Sequence, residues 1–204
     1  MSDEKQDQRR RQIERAAMEL LAEKGYRSTS MLQIAKRASA SNQTLYAWYG
    51  NKQALFKGII EENGQAVCQF LDQALNDHTD PLLALRALGV HLLRFTTDDK
   101  AITMNRAAII DATETGTLAE AVDHLGRYKV FQLICDLMTE LAETGHFKLD
   151  RDAEDAAGNY VNLLFGEVQM RQALGALPAL SEDDIKQRAD RAFDLTCRLY
   201  RPTH

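Results

Sequence analysis

Between Ser30 and Lys52 the chain gathers side chains that can read nucleic acid. Asn42, Gln43 and Thr44 stand in succession after Ser41. Asn and Gln amides can pair bidentately with an adenine edge, and hydroxyls of Ser and Thr bond several base edges. Tyr46 and Trp48 follow, with aromatic bodies and polar tips suited to sugar and phosphate. Lys52 brings a positive charge to the predicted start of a helix, where free backbone N–H groups also favour a phosphate. Ser30, Gln33 and Ser41 complete this candidate DNA-binding set from the preceding helix and turn.

Such residues act only when a short helix presents them outward and its neighbours brace it. Apolar periodicity predicts a first helix over about 6–24, from Ile13, Ala16, Ala17, Leu20 and Leu21, stopped by Gly25. Ser30 and Gln33 form a capping box that opens a second helix over about 31–38. Ser39-Ala40-Ser41 makes a three-residue turn, and Ser41 caps a third helix over about 42–49. Ile34, Ala35, Ala38 and Leu45 are spaced to pack these two helices together, which defines a helix-turn-helix over about 31–50. Gly50 breaks the third helix, and Asn51 caps a long fourth one to about residue 76.

Helical periodicity continues through the rest of the chain. Asp80-Pro81 opens a helix, Asp98 another, and Thr117 with Glu120 forms a second capping box for a long helix ending at Gly145. Further helices are predicted over about 153–174 and 182–200. The reading is an all-α protein of about nine helices: an N-terminal three-helix helix-turn-helix domain at 9–69 and a C-terminal helical bundle at 70–204.

Charge divides the same way. Residues 1–60 hold 11 Lys and Arg against 6 Asp and Glu, whereas 61–204 hold 14 against 24. A basic segment on an acidic body suits a modular DNA binder, and chance clustering on solvated faces explains it equally well. Arg9, Arg10 and Arg11 are open to two readings, an arm on phosphate or in the minor groove, or a solvated tail. Cys68, Cys135 and Cys197 are scattered and read as buried free thiols; neither a metal site nor a cofactor is implied. The charged N-terminus and the lack of a long apolar run predict a soluble, cytoplasmic chain with no membrane partner.

The string from Gly25 to Phe56 closely resembles the DNA-binding segment of the TetR family of bacterial regulators. The resemblance is carried by Gly25-Tyr26, Ser30, Ile34-Ala35, Thr44-Leu45-Tyr46, Trp48-Tyr49 and Lys52, and covers about residues 9–60. Ser39 departs from the pattern by standing where the family usually has glycine, and Asn42 and Gln43 change the expected base preference. Later strings, Glu143 to Phe147 and Asp155 to Gly158, look most like the AefR-like subgroup. The resemblance implies a homodimeric regulator of double-stranded operator DNA, most often a repressor released by a small-molecule effector.

For the effector, His91, Phe95, Met104, Tyr128, Phe131, Ile134, Met138, Asn162 and Phe165 are the candidate lining, with ordinary core as the competing reading for each. The resemblance also implies dimerisation through the last two long helices, where Tyr160, Val161, Leu164, Val168, Ile185, Ala189 and Phe193 form apolar stripes. Taken without the resemblance, those stripes read equally as intramolecular core. Two other functions compete: a helical protein-interaction module and an all-α enzyme. The five histidines are scattered, and there is no HExxH, phosphate loop or nucleophile elbow, so no catalytic residue is assigned.

Overall fold

The computed structural model describes residues 3–76 and 80–202. Within them lie eleven α-helices, one π-helical segment and no strand. The helices are α1 (Asp3–Ser28), α2 (Met31–Arg37), α3 (Asn42–Tyr49), α4 (Lys52–Asn76), α5 (Pro81–Thr96), α6 (Asp99–Asp111), α7 (Thr117–Ala121), α8 (Lys129–Glu143), α9 (Ala153–Phe165), α10 (Val168–Ala173) and α11 (Glu182–Leu199). The π-helical segment, Val122–Tyr128, joins α7 to α8.

The fold is all-α as expected, but two long predicted helices are broken. The stretch expected to run from Thr117 to Gly145 is divided by the π turn. A π turn takes an extra residue and rotates the apolar face. Leu118 and Ala121 therefore join one core, while Val130 and Ile134 join another. The stretch expected over 153–174 breaks at Gly166, which sits at φ +46°, a backbone geometry that side chains with a Cβ rarely adopt. Arg188 on α11 donates to the carbonyl of Leu164 at 3.2 Å, satisfying an acceptor that the break exposes. The second capping box does not form. Gly116 occupies the cap position of α7, and Thr117 already lies inside the helix.

The chain forms two compact units. The first comprises residues 1–63 and 103–123, so it is discontinuous in sequence. Its core holds Ile13, Ala17, Leu20, Tyr26, Ile34, Leu45, Leu55 and Phe56 together with Met104, Ala107 and Leu118. The second comprises residues 64–102 and 124–204. Its core is built from Leu85, Leu88, Leu92, Ile134, Met138, Leu141, Ala157, Tyr160, Leu164, Ile185 and Ala189. Two Tyr-centred contacts, Tyr26 in the first unit and Tyr160 in the second, are sealed from solvent. The three cysteines are free and half-buried rather than fully buried, and burial raises each thiol above its ordinary pKa. Among the described residues, no helix is long and apolar enough to cross a membrane.

Candidate nucleic-acid interface

Local sequence chemistry fixes both ends of the helix-turn-helix. The Ser30 hydroxyl accepts from the Gln33 backbone N–H at 3.3 Å, and the Gln33 carboxamide accepts from the Ser30 N–H at 3.1 Å. Ser41 accepts from the Thr44 N–H at 2.9 Å, and the Ser41 and Thr44 hydroxyls share a hydrogen bond at 2.8 Å. Caps of this kind are worth about 1 kcal/mol each, a large fraction of the stability of helices only two turns long. Leu45 is fully buried under α3, which fixes the face that turns inward.

In contrast to Leu45, Asn42, Gln43 and Tyr46 are exposed. Their amides and phenol therefore lie on the outward face of a braced, eight-residue helix. The remaining expected contacts are placed differently. Ser30, Gln33, Ser41 and Thr44 spend their polar groups on helix caps, which makes them supports of the reading helix before anything else. Trp48 is half-buried and packs against the core of the first unit. Lys52 lies over the Tyr26 ring, 4.1 Å from its centroid, and donates to the Tyr26 carbonyl at 2.9 Å. Desolvation lowers its pKa from the usual lysine value. In this conformation its ammonium is committed to the end of α1.

Two ties in this unit were not legible in the spacing of residues. Asp111, fully buried at the end of α6, accepts from the Leu118 N–H at 2.8 Å, the Thr115 hydroxyl at 2.7 Å and the Tyr26 phenol at 3.4 Å. Burial, and then the adjacent Asp111 carboxylate, push the Tyr26 pKa upward. Arg27 pairs with Glu114 at 2.8 Å in the same region. The second tie is Arg9, which hydrogen-bonds the carbonyls of Ala38 and Ser39 at the end of α2. Ser39 itself adopts φ +51°, the sole positive φ outside glycine among the described residues. A residue with a Cβ is disfavoured there by roughly 1 kcal/mol or more.

The residues 13–59 match the family described as bacterial regulatory proteins, tetR family. Residues 83–202 match the AefR-like transcriptional repressor C-terminal domain. The chain belongs to the TetR family. It is a DNA-binding transcriptional regulator of the helix-turn-helix type, not an enzyme.

The HTH-type transcriptional regulator YvkB of Bacillus subtilis is 26% identical over 162 residues, covering 78% of this regulator and 81% of YvkB. A solved structure assigned to the TetR family, from Mesorhizobium loti, superposes with a TM-score of 0.83 at 22% identity, covering 96% of this regulator and 98% of that chain. The flavonoid-responsive regulator FrrA superposes with a TM-score of 0.71 at 25% identity, covering 97% of this regulator and 100% of FrrA.

The expected effector residues do not converge on one place. His91 and Phe95 gather around Phe70 in edge-on ring contacts at 4.9 and 5.2 Å, in the second unit. Ile134 and Met138 are buried core of that unit, with Phe131 and Phe165 half-buried against it. Asn162 and Tyr128 are exposed, the latter beside His124. Met104 lies apart from them, in the core of the first unit.

Most residues of the expected dimer stripe are buried within the chain. Tyr160, Leu164, Val168, Ile185 and Ala189 are at most 5% exposed within a single chain. Tyr160 donates to the Leu85 carbonyl at 3.1 Å, which places it against α5. Tyr160, Leu164, Ile185 and Ala189 belong to the core of the second unit, where α11 packs against both α5 and α9, and Val168 is buried on α10. Val161 and Phe193 are half-buried on the same unit. The apolar stripes of α9 and α11 thus face each other and α5 within the chain.

Proposed function

We propose that the regulator works as a cytoplasmic homodimer that represses transcription from near-palindromic double-stranded operator DNA and is released by a small-molecule effector. Residues 9–69 would carry DNA binding, and residues 70–204 would hold the effector and the dimer contact. The observation that supports operator reading best is the outward face of α3: Asn42, Gln43 and Tyr46 exposed beside a fully buried Leu45. Two such helices on a two-fold axis would enter successive major grooves, roughly 34–36 Å apart. Asn42 and Gln43 would read base edges, and Tyr46 would meet the backbone. The responsiveness of FrrA to flavonoids supports an organic effector for this regulator as well. Any such molecule acts by binding the DNA-free conformation more tightly than the DNA-bound one.

Selection of bound duplexes from a random pool tests the proposal. Recovery of two half-sites about one helical turn apart is the expected outcome. Recovery of no preferred sequence, or of a single unpaired half-site, would defeat it. Gln43→Ala should then relax preference at one position by about 1–3 kcal/mol without changing half-site spacing.

A further inference from the structure

The turn that aims α3 is closed in an unusual way for its sequence. Ala40 N–H reaches back to the Ala35 carbonyl at 2.8 Å, and Ser39 N–H to the Lys36 carbonyl at 3.2 Å. This paired pattern ends a helix through one left-handed residue, and that residue is ordinarily glycine. Here it is Ser39, at φ +51°. This geometry crowds the Ser39 Cβ.

Arg9 supplies what the turn lacks. Its Nη1 donates to the Ala38 carbonyl at 3.1 Å, and its Nη2 donates to the Ser39 carbonyl. Nη1 also donates to the Gln12 carboxamide at 3.0 Å, which anchors the guanidinium to α1. The two carbonyls flank the strained residue, and carbonyls at a helix end have no intrahelical donor. A planar fork of donors can hold both at once; a lysine ammonium on a flexible stem cannot match that geometry.

We propose that Arg9 is a positioning residue for DNA recognition: it locks the Ala38–Ala40 turn in its left-handed form and thereby sets the angle at which α3 meets the duplex. It acts through the turn, not through phosphate. The inference rests on operator reading by α3. It assigns Arg9 a role different from its neighbours Arg10 and Arg11, both of which are exposed.

The full-length protein and a duplex that the wild type selects from a random pool provide the test. Affinity is measured between roughly 50 and 200 mM salt for Arg9→Gln and Arg9→Lys, each alone and combined with Ser39→Gly. Both single Arg9 variants should weaken binding by about tenfold. The slope of log affinity against log salt should stay at the wild-type value, because no phosphate contact is lost. Ser39→Gly should restore either variant to within about threefold of Ser39→Gly alone, since glycine adopts the turn without help.

The proposal is overturned if Arg9→Lys binds like wild type while Arg9→Gln reduces the salt slope by about 1, the mark of a phosphate contact. It is also overturned if neither variant changes affinity. Should Arg9→Gln fail to fold, Arg9→Lys with Ser39→Gly decides: affinity within about threefold of Ser39→Gly alone supports the role, and weaker binding than that rejects it. A wild type that selects no sequence would instead defeat operator reading itself.

Discussion

Tyr26 and Tyr160 are both sealed from water, yet each holds its unit in a different way. Tyr26 donates to the carboxylate of Asp111, which also receives the Leu118 N–H and the Thr115 hydroxyl. Lys52 covers the ring face and bonds the Tyr26 carbonyl. The first unit therefore joins α1, α4 and the α6–α7 corner through a polar network around the buried Asp111 side chain. Tyr160 makes one hydrogen bond, to the Leu85 carbonyl, and is otherwise enclosed by apolar neighbours. The first unit thus adds directional bonds to its apolar packing. The amphipathic helices of the second unit gain their order from packing.

That contrast can be broken in stages. Gly89→Val should have the largest effect. Even a Cβ at Gly89 would lie 2.7 Å from the Tyr160 hydroxyl and 3.3 Å from Ala189, in a core with no slack. A loss of about 3 kcal/mol in urea unfolding is expected. A near-neutral result would show that the second unit repacks freely and is not ordered by close fit.

Asp111→Ala comes next. It removes the acceptor shared by Leu118, Thr115 and Tyr26. Leaving buried donors unsatisfied should lower stability by about 2 kcal/mol, and operator affinity should fall with it. Tyr160→Phe removes one hydrogen bond from an otherwise apolar site and should cost about 1 kcal/mol. If the two substitutions prove equally damaging, the distinction between a networked unit and a packed one is lost.

Glu14 carries the smallest expected effect. Its carboxyl is half-buried in the first unit and receives the Tyr49 phenol at 3.3 Å. Desolvation and then Glu62 raise its pKa above the ordinary carboxylate value. A raised acid pKa means that the folded state holds its proton longer than the unfolded state. Its stabilising contribution is complete below the ordinary value and is lost as pH rises through the raised one. Glu14→Gln should remove that decline, which thermal melting across the mildly acidic range will detect.

The helix-turn-helix was largely legible beforehand because its determinants are short-range. Ser30 and Gln33 are three apart and form the expected box; Ser41 and Thr44 are three apart and form the expected cap. Gly166 and the π turn were missed because an apolar repeat survives across a short break and gives no sign of it. The inward stripes of α9 and α11 were visible too, but periodicity names a buried face without naming what covers it.

By itself, the order of residues determined where the small helices of the first unit start, which of their faces turn inward, and that Asn42, Gln43 and Tyr46 could look outward. Those outcomes depend on groups within one helical turn of each other. Tertiary structure alone decided that Arg9 closes the turn at Ser39, that Asp111 sits beneath Tyr26, and that Tyr160 is interior. Each of those depends on two segments 29 or more residues apart becoming neighbours. Only the packed chain makes such pairs adjacent, because no local repeat encodes the distance between them.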